Sequence, residues 1–322
     1  MAKDYIYAVA RVRSLEMSLF SGATIEQLLA EKKYEDCIRF IKDKGWGGTE
    51  ADFSAADDIL AYEEAKTWKT VKEMVPDMSE FSVLTLPNVY HNLKSAIKVA
   101  TMGEVNAKVF FDGTEPSGEK MTDIIKRTAY EELPESMRAV AKEAYESFLH
   151  TGDGQLCDII IDRAALKAIK AAGEASKEKL LQDYARTYVD VSVIRIAVRS
   201  AKTGKTSEFM KRAMEPCSLN IDKLVQAALA GEDDVIDYLL QTEYKEAGEA
   251  LKTSSSAFEC WCDNQIIETI KPQKYNSFTI GAIVAYILAR LNEIKTVRIV
   301  LSGKENHLPE DAIRERIREM YV

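Results

Sequence analysis

The chain has 322 residues, enough to bury a sizeable core without disulfides or a structural metal. Its net charge of -9 works against binding to a phosphate backbone, which gains affinity from Lys and Arg displacing counterions. Five scattered cysteines, an odd number, form no disulfide framework. With 46% hydrophobic and 30% charged residues and only 15 Gly and 7 Pro, the composition favours helices.

The first twenty residues carry charges throughout, so they do not read as a secretory leader, and the chain is expected in the cytoplasm. From Ile25 the apolar positions Ile25, Leu28, Leu29, Ile38 and Ile41 recur at helical spacing. An amphipathic segment around Glu63 follows, and then NLKSAIKVATMG, which ends at Gly103. The second hundred residues repeat that order. Asp162 sits in IIIDRAALKA, and SVIRIAVRSAKTG runs through Arg195 to Gly204. A third copy places Glu259 in SSAFECWCDN and Arg298 in KTVRIVLSG, which ends at Gly303.

The basic positions Lys94, Arg195 and Arg298 are 101 and 103 residues apart, and the three glycines 101 and 99. Such a period marks an internal repeat of one helical unit. The reading is an all-α chain of three pseudo-threefold-related bundles, at 1–112, 113–212 and 213–322, closing into a funnel or cup, with an open superhelix also compatible because the sequence does not fix the rotation per repeat. Gly103, Gly204 and Gly303 are placed to terminate helices in a left-handed conformation. Lys94, Arg195 and Arg298 could line a pore or touch a partner, but each is preceded by an acid, which favours ion pairs inside each repeat between Glu63 and Lys94, Asp162 and Arg195, and Glu259 and Arg298. The β-branched run Val189 to Val198 reads alone as a strand, but its counterpart in the first repeat carries better helix formers, so it is assigned to a helix.

Three motifs invite chemistry. AKTGKTSEF resembles the end of a phosphate loop, but Arg199 stands where the loop needs glycine and a helix leads in, so a helix end is favoured. DDVID, with Asp233, Asp234 and Asp237, fits the pattern by which all-helical prenyl synthases hold magnesium and pyrophosphate. The nearest second cluster, Asp57 and Asp58, lacks a third acid, and acids in a helix's first turn are favoured by its dipole. Cys260 and Cys262 have no second Cys pair, and His91, His150 and His307 lie far off in sequence, so no zinc site is expected. No nucleophile, base and orienter assemble, and Trp46, Trp68 and Trp261 read as packing residues. The longest apolar stretch, from Ile280 to Leu291, contains Arg290 and is too short to cross a bilayer.

Several segments together resemble the C subunit of bacterial and archaeal V-type (A-type) ATPases, the family that includes the eukaryotic d subunit. They are YAVARVRSLE, YEDCIRFIKDKGWG, YHNLKSAIK, IIIDRAALKAIKAAG with VIRIAVRSAKTG, and VRIVLSGKENHLPEDAIRERI, and they span nearly the whole length. The resemblance implies a non-catalytic rotor part without cofactors. It would sit peripherally on the cytoplasmic side of the membrane, between the D and F subunits of the central shaft and the proteolipid ring, serving H+ or Na+ transport or ATP synthesis. A magnesium-dependent prenyl synthase and an unrelated helical-repeat scaffold are the alternatives.

Overall fold

A computed structural model describes residues 5–48, 53, 55–75, 77–103, 109–276 and 279–322. The described residues form helices and short turns with no strand, as the composition and periodicity predict. In chain order the helices are α1 (Ile6–Glu16), α2 (Gly22–Ala30), α3 (Tyr34–Asp43), α4 (Ala56–Met74), α5 (Ser82–Met102), α6 (Gly118–Arg127), α7 (Glu135–Thr151), α8 (Gly154–Ala175), α9 (Lys179–Thr203), α10 (Ser207–Ala213), α11 (Ile221–Ala230), α12 (Glu232–Leu240), α13 (Lys245–Thr253), α14 (Ser255–Ile270), α15 (Gly281–Glu305) and α16 (Glu310–Arg314). Side-chain caps open several of them: Ser21 before α2, Ser117 before α6, Asp153 before α8, Thr206 before α10, Asn220 before α11 and Ser254 before α14. Each cap accepts a backbone N–H that the first turn leaves without a helical partner. The β-branched run from Val189 lies inside α9, because Val189, Val193, Ile194 and Ala197 share its buried face and tertiary packing outweighs local propensity.

The chain divides into two compact units. One comprises Met1–Met78, Glu178–Tyr184 and Leu239–Val322; the other comprises Ser79–Lys177 and Ala185–Tyr238. In the first unit Ile25, Leu28 and Leu29 of α2, Ile41 of α3 and Ile59 and Leu60 of α4 share one core with Ile294, Val297, Val300 and Leu301 of α15 and Ile313 of α16. Residues from early and late in the chain thus bury one another. The first ten residues of α15 are buried on every side. In the second unit Leu93, Ala96 and Ile97 of α5 pack with Met121, Ile124 and Ile125 of α6, Ala141 of α7, and Cys157 and Ile161 of α8.

Two of the three landmark glycines end helices. Gly103 caps α5 with φ +85°, and Gly204 follows α9 with φ +62°. Gly303 does not: α15 continues to Glu305, and the positive φ falls on His307. What position 303 requires is the absence of a side chain, because a Cβ there would lie 2.6 Å from Cγ1 of the buried Ile313. Gly303→Ala therefore gains about 1 kcal/mol of helix propensity and sets it against overpacking of about 1–3 kcal/mol. The expected result is a net loss of about 1 kcal/mol in urea unfolding. In an Ile313→Ala background the same change should become neutral or stabilising, a sign reversal that only the contact explains.

Candidate functional site

The chemistry-bearing groups lie between long helices. In the second unit, Lys94 of α5 donates to Asp162 of α8 at 2.7 Å, and one turn further on Lys98 reaches Asp158 at 2.7 Å. The base number rises as the acid number falls, so the two helices run antiparallel. In the first unit, Arg298 of α15 donates to Asp57 of α4, and Arg290, two turns earlier, donates to Glu63 at 2.5 Å. That pair is antiparallel by the same argument.

Of the charged landmarks, the structure brings Lys94 and Asp162 together and gives Glu63 and Arg298 other partners, Arg290 and Asp57. The observed pairs join helices from different sequence repeats, whereas the expected ones joined helices within a repeat. The reason is packing: the apolar face of α5 is covered by α6 and α8, and that of α4 by α15. Arg195 is on α9 and Glu259 half-buried on α14.

A cluster of buried charges joins Glu63, Glu293 and Arg290, with 0%, 0% and 7% exposure. Arg290 holds Glu63 with one nitrogen and Glu293 with the other, at 2.5 and 2.6 Å, and its guanidinium lies over the Trp46 ring at 4.5 Å. The second oxygen of Glu63 accepts the N–H of Gly47 at 2.9 Å, and Lys66 approaches the same carboxylate at 3.3 Å. Gly47 presents that N–H from a positive φ of +84°, a conformation open to glycine. Glu293 is less well served, with no hydrogen bond on Oε2. Desolvation pushes its pKa up to about 7, against smaller opposing effects of Arg290 and the Phe20 backbone.

A second knot lies where Lys295 of α15 and Arg318 of the C-terminal segment both reach Asp263 of α14, each at 2.7 Å. Arg13 of α1 donates to the carbonyls of Gln273 and Asn276 at 2.5 Å each. In the second unit, buried Asp190 accepts the N–H and hydroxyl of Ser218 at 3.0 and 2.8 Å. Buried Asn92 clasps Phe111 through N–H and C=O at 2.8 Å each and donates to Thr114.

The motifs singled out for reactivity have structural surroundings. Glu232, Asp233 and Asp234 occupy the first turn of α12, and Asp57 and Asp58 that of α4. In AKTGKTSEF, α9 runs to Thr203, Gly204 turns the chain, and Thr206 caps α10. Burial raises Cys37, Cys157 and Cys217 to about 11, which keeps them as thiols at neutral pH, and Cys260 is raised for the same reason. Among the described residues no group of three or more His, Cys, Asp or Glu is placed to hold a metal ion. Trp46 packs on Phe20, and Trp261 on Phe258 and Tyr244. Among the described residues no helix is long and apolar enough to cross a membrane.

Fold and charge placement together describe an all-helical chain whose charged side chains pair across antiparallel helices. The chain belongs to the ATP synthase (C/AC39) subunit family, matched over residues 8–316. It is similar to the C subunit of the V-type sodium ATPase of Enterococcus hirae, with 23% identity over 96% of this chain and 97% of that protein. It is also similar to the C subunits of two A-type ATP synthases. That of Methanosarcina mazei is 24% identical over 98% of this chain and 93% of the relative, and that of Methanocaldococcus jannaschii 21% identical over 96% and 85%.

Proposed function

We propose that this chain is a non-catalytic central-stalk component of a rotary V/A-type ATPase. In this reading it is held on the cytoplasmic side of the membrane between the D and F subunits of the shaft and the proteolipid ring, and couples their rotation during H+ or Na+ transport or ATP synthesis. The observation that carries this is the family match from residue 8 to residue 316, joined by relatives named as the C subunit of a V-type or an A-type enzyme over nearly the full length of this chain.

The interior suits the role. A part that passes torque has to resist shear between its helices, and paired charges along antiparallel helices fix their register as well as their distance. The three repeats at 1–112, 113–212 and 213–322 belong to the same reading, with Glu63, Lys94, Asp162, Arg195, Glu259 and Arg298 as the charges that tie long helices. The choice of transported ion would be made in the ring, so the sodium ATPase named for one relative does not carry over to this chain.

The test is co-assembly. Tagged full-length chain, co-expressed with the D and F subunits and the ring protein of its own complex, should retain D and F on an affinity column. It should also bind the detergent-solubilised ring. A folded, monodisperse chain that binds neither at about 10 µM, an affinity weaker than about 7 kcal/mol, would sink the proposal.

A further inference from the structure

Beyond the helix-locking charges, the second unit carries a groove of about 340 Å³ between α7, α8 and α10. Its floor is apolar, from Val140, Ile160 and Ala164, and its α8 and α10 sides present Arg163, Lys167 and Arg212. In a chain of net charge -9, this concentration of cations on an apolar floor runs against the overall balance. Arg163 reaches Glu215 at 3.6 Å, whereas Lys167 and Arg212 are in no ion pair among the described residues. From α7 the lining also includes Glu143.

The wall formed by Glu215 and Pro216, in the linker after α10, is pinned. Besides Arg163 on Glu215, Lys170 donates to the Pro216 carbonyl at 2.9 Å, and Asp190 holds Ser218 by two hydrogen bonds. An irregular segment fixed at three successive points gives a preformed groove, so an occupant would not have to order it. Arg163 and Lys167 lie four residues apart on α8, hence on one face and one turn apart.

We propose that this groove docks an acidic amphipathic segment of another protein of the same ATPase complex. Its apolar side would rest on Val140, Ile160 and Ala164, and its carboxylates would face Lys167 and Arg212. Glu143 sets the orientation, since it repels an acidic edge placed on the α7 side. The inference rests on membership of the complex, as argued above, and adds which face is used and what chemistry it meets.

The experiment compares full-length wild type with Lys167→Glu/Arg212→Glu for binding to the complex stripped of this chain. Lys120→Glu/Lys126→Glu on α6 has the same change in charge and serves as control, and thermal unfolding confirms that all three are folded. The groove variant is expected to bind at least ten-fold more weakly, the control within about two-fold of wild type. A photo-cross-linking residue at position 167 should capture an acidic segment of another protein of the complex, and reversing the captured carboxylates to Lys should restore binding of the groove variant. Equal binding by groove variant and control would overturn the docking proposal alone. So would capture of no protein of the complex while inorganic phosphate binds in a manner dependent on Lys167 and Arg212, which would mark an anion site. Failure of wild type to bind the stripped complex would overturn the rotor reading, and this inference with it.

Discussion

Replacing Arg290 with Ala should destabilise the first unit by about 3–5 kcal/mol, the usual consequence of leaving buried charge without its partner. Glu63 would keep Gly47 and the half-exposed Lys66, but Glu293 would lose its ion pair altogether. Two carboxylates with essentially no exposure would then be left with the half-exposed Lys66 beside Glu63 and no cation paired with Glu293. The site would take up protons in response, so the loss should grow as pH rises. Urea unfolding followed by Trp46 fluorescence reads this directly, because the ring lies under the guanidinium. The triple change Arg290→Met, Glu63→Gln and Glu293→Leu should recover much of the loss by removing the charges together. If Arg290→Ala costs less than about 1 kcal/mol at pH 8, the cluster does not hold α4 to α15.

Glu293 supplies the second large effect, and its sign is opposite to the usual one for a carboxylate. Its folded pKa is raised from 4.5 to about 7, so the folded state keeps a proton that the unfolded chain releases. The contribution is fully present below about pH 4.5, is lost as pH rises through 7, and stays lost above it. A shift of this size corresponds to about 3 kcal/mol. The charges around Glu293 are Arg290 on its own helix and Glu63 on α4; a protonated Glu293 leaves that trio neutral, an ionised one leaves it at -1. Glu293→Gln keeps an oxygen for Arg290 and removes the titration. The difference in stability, variant minus wild type, should climb from near zero at pH 4.5 to a plateau above pH 7. A flat difference across that range would show that Glu293 is already ionised at the low end.

Much of the fold could be read from the residues, and the misses have physical causes. The helical assignment of Val189 to Val198 succeeded because a repeat supplied information that a ten-residue window lacks. The landmark charges were found on the right kind of helix, but a repeat in sequence does not say whether a helix packs inside its own repeat or against a neighbour; Lys94 chose Asp162. Gly303 looked like Gly103 and Gly204, yet glycine serves two needs, positive φ and close approach, and only the neighbouring Ile313 separates them. The Arg290 and Glu293 cluster was missed although a signal was present. Two opposite charges three residues apart, at the edge of the longest apolar run, point to a buried pair. Asp190 and Asn92 gave no such signal, because their partners belong to irregular segments.

The shared core of the first unit also sets a timetable for synthesis. Leu28, Leu29, Ile41 and Leu60 are covered by residues from Ile294 onward, so their apolar faces leave the ribosome long before the surface that shields them exists. At 5–20 residues per second the interval is roughly 10–50 s. The second unit draws on one middle stretch of chain, interrupted only by residues 178–184, and can close its core while the first is still waiting. The first residues to be made are therefore among the last to be buried.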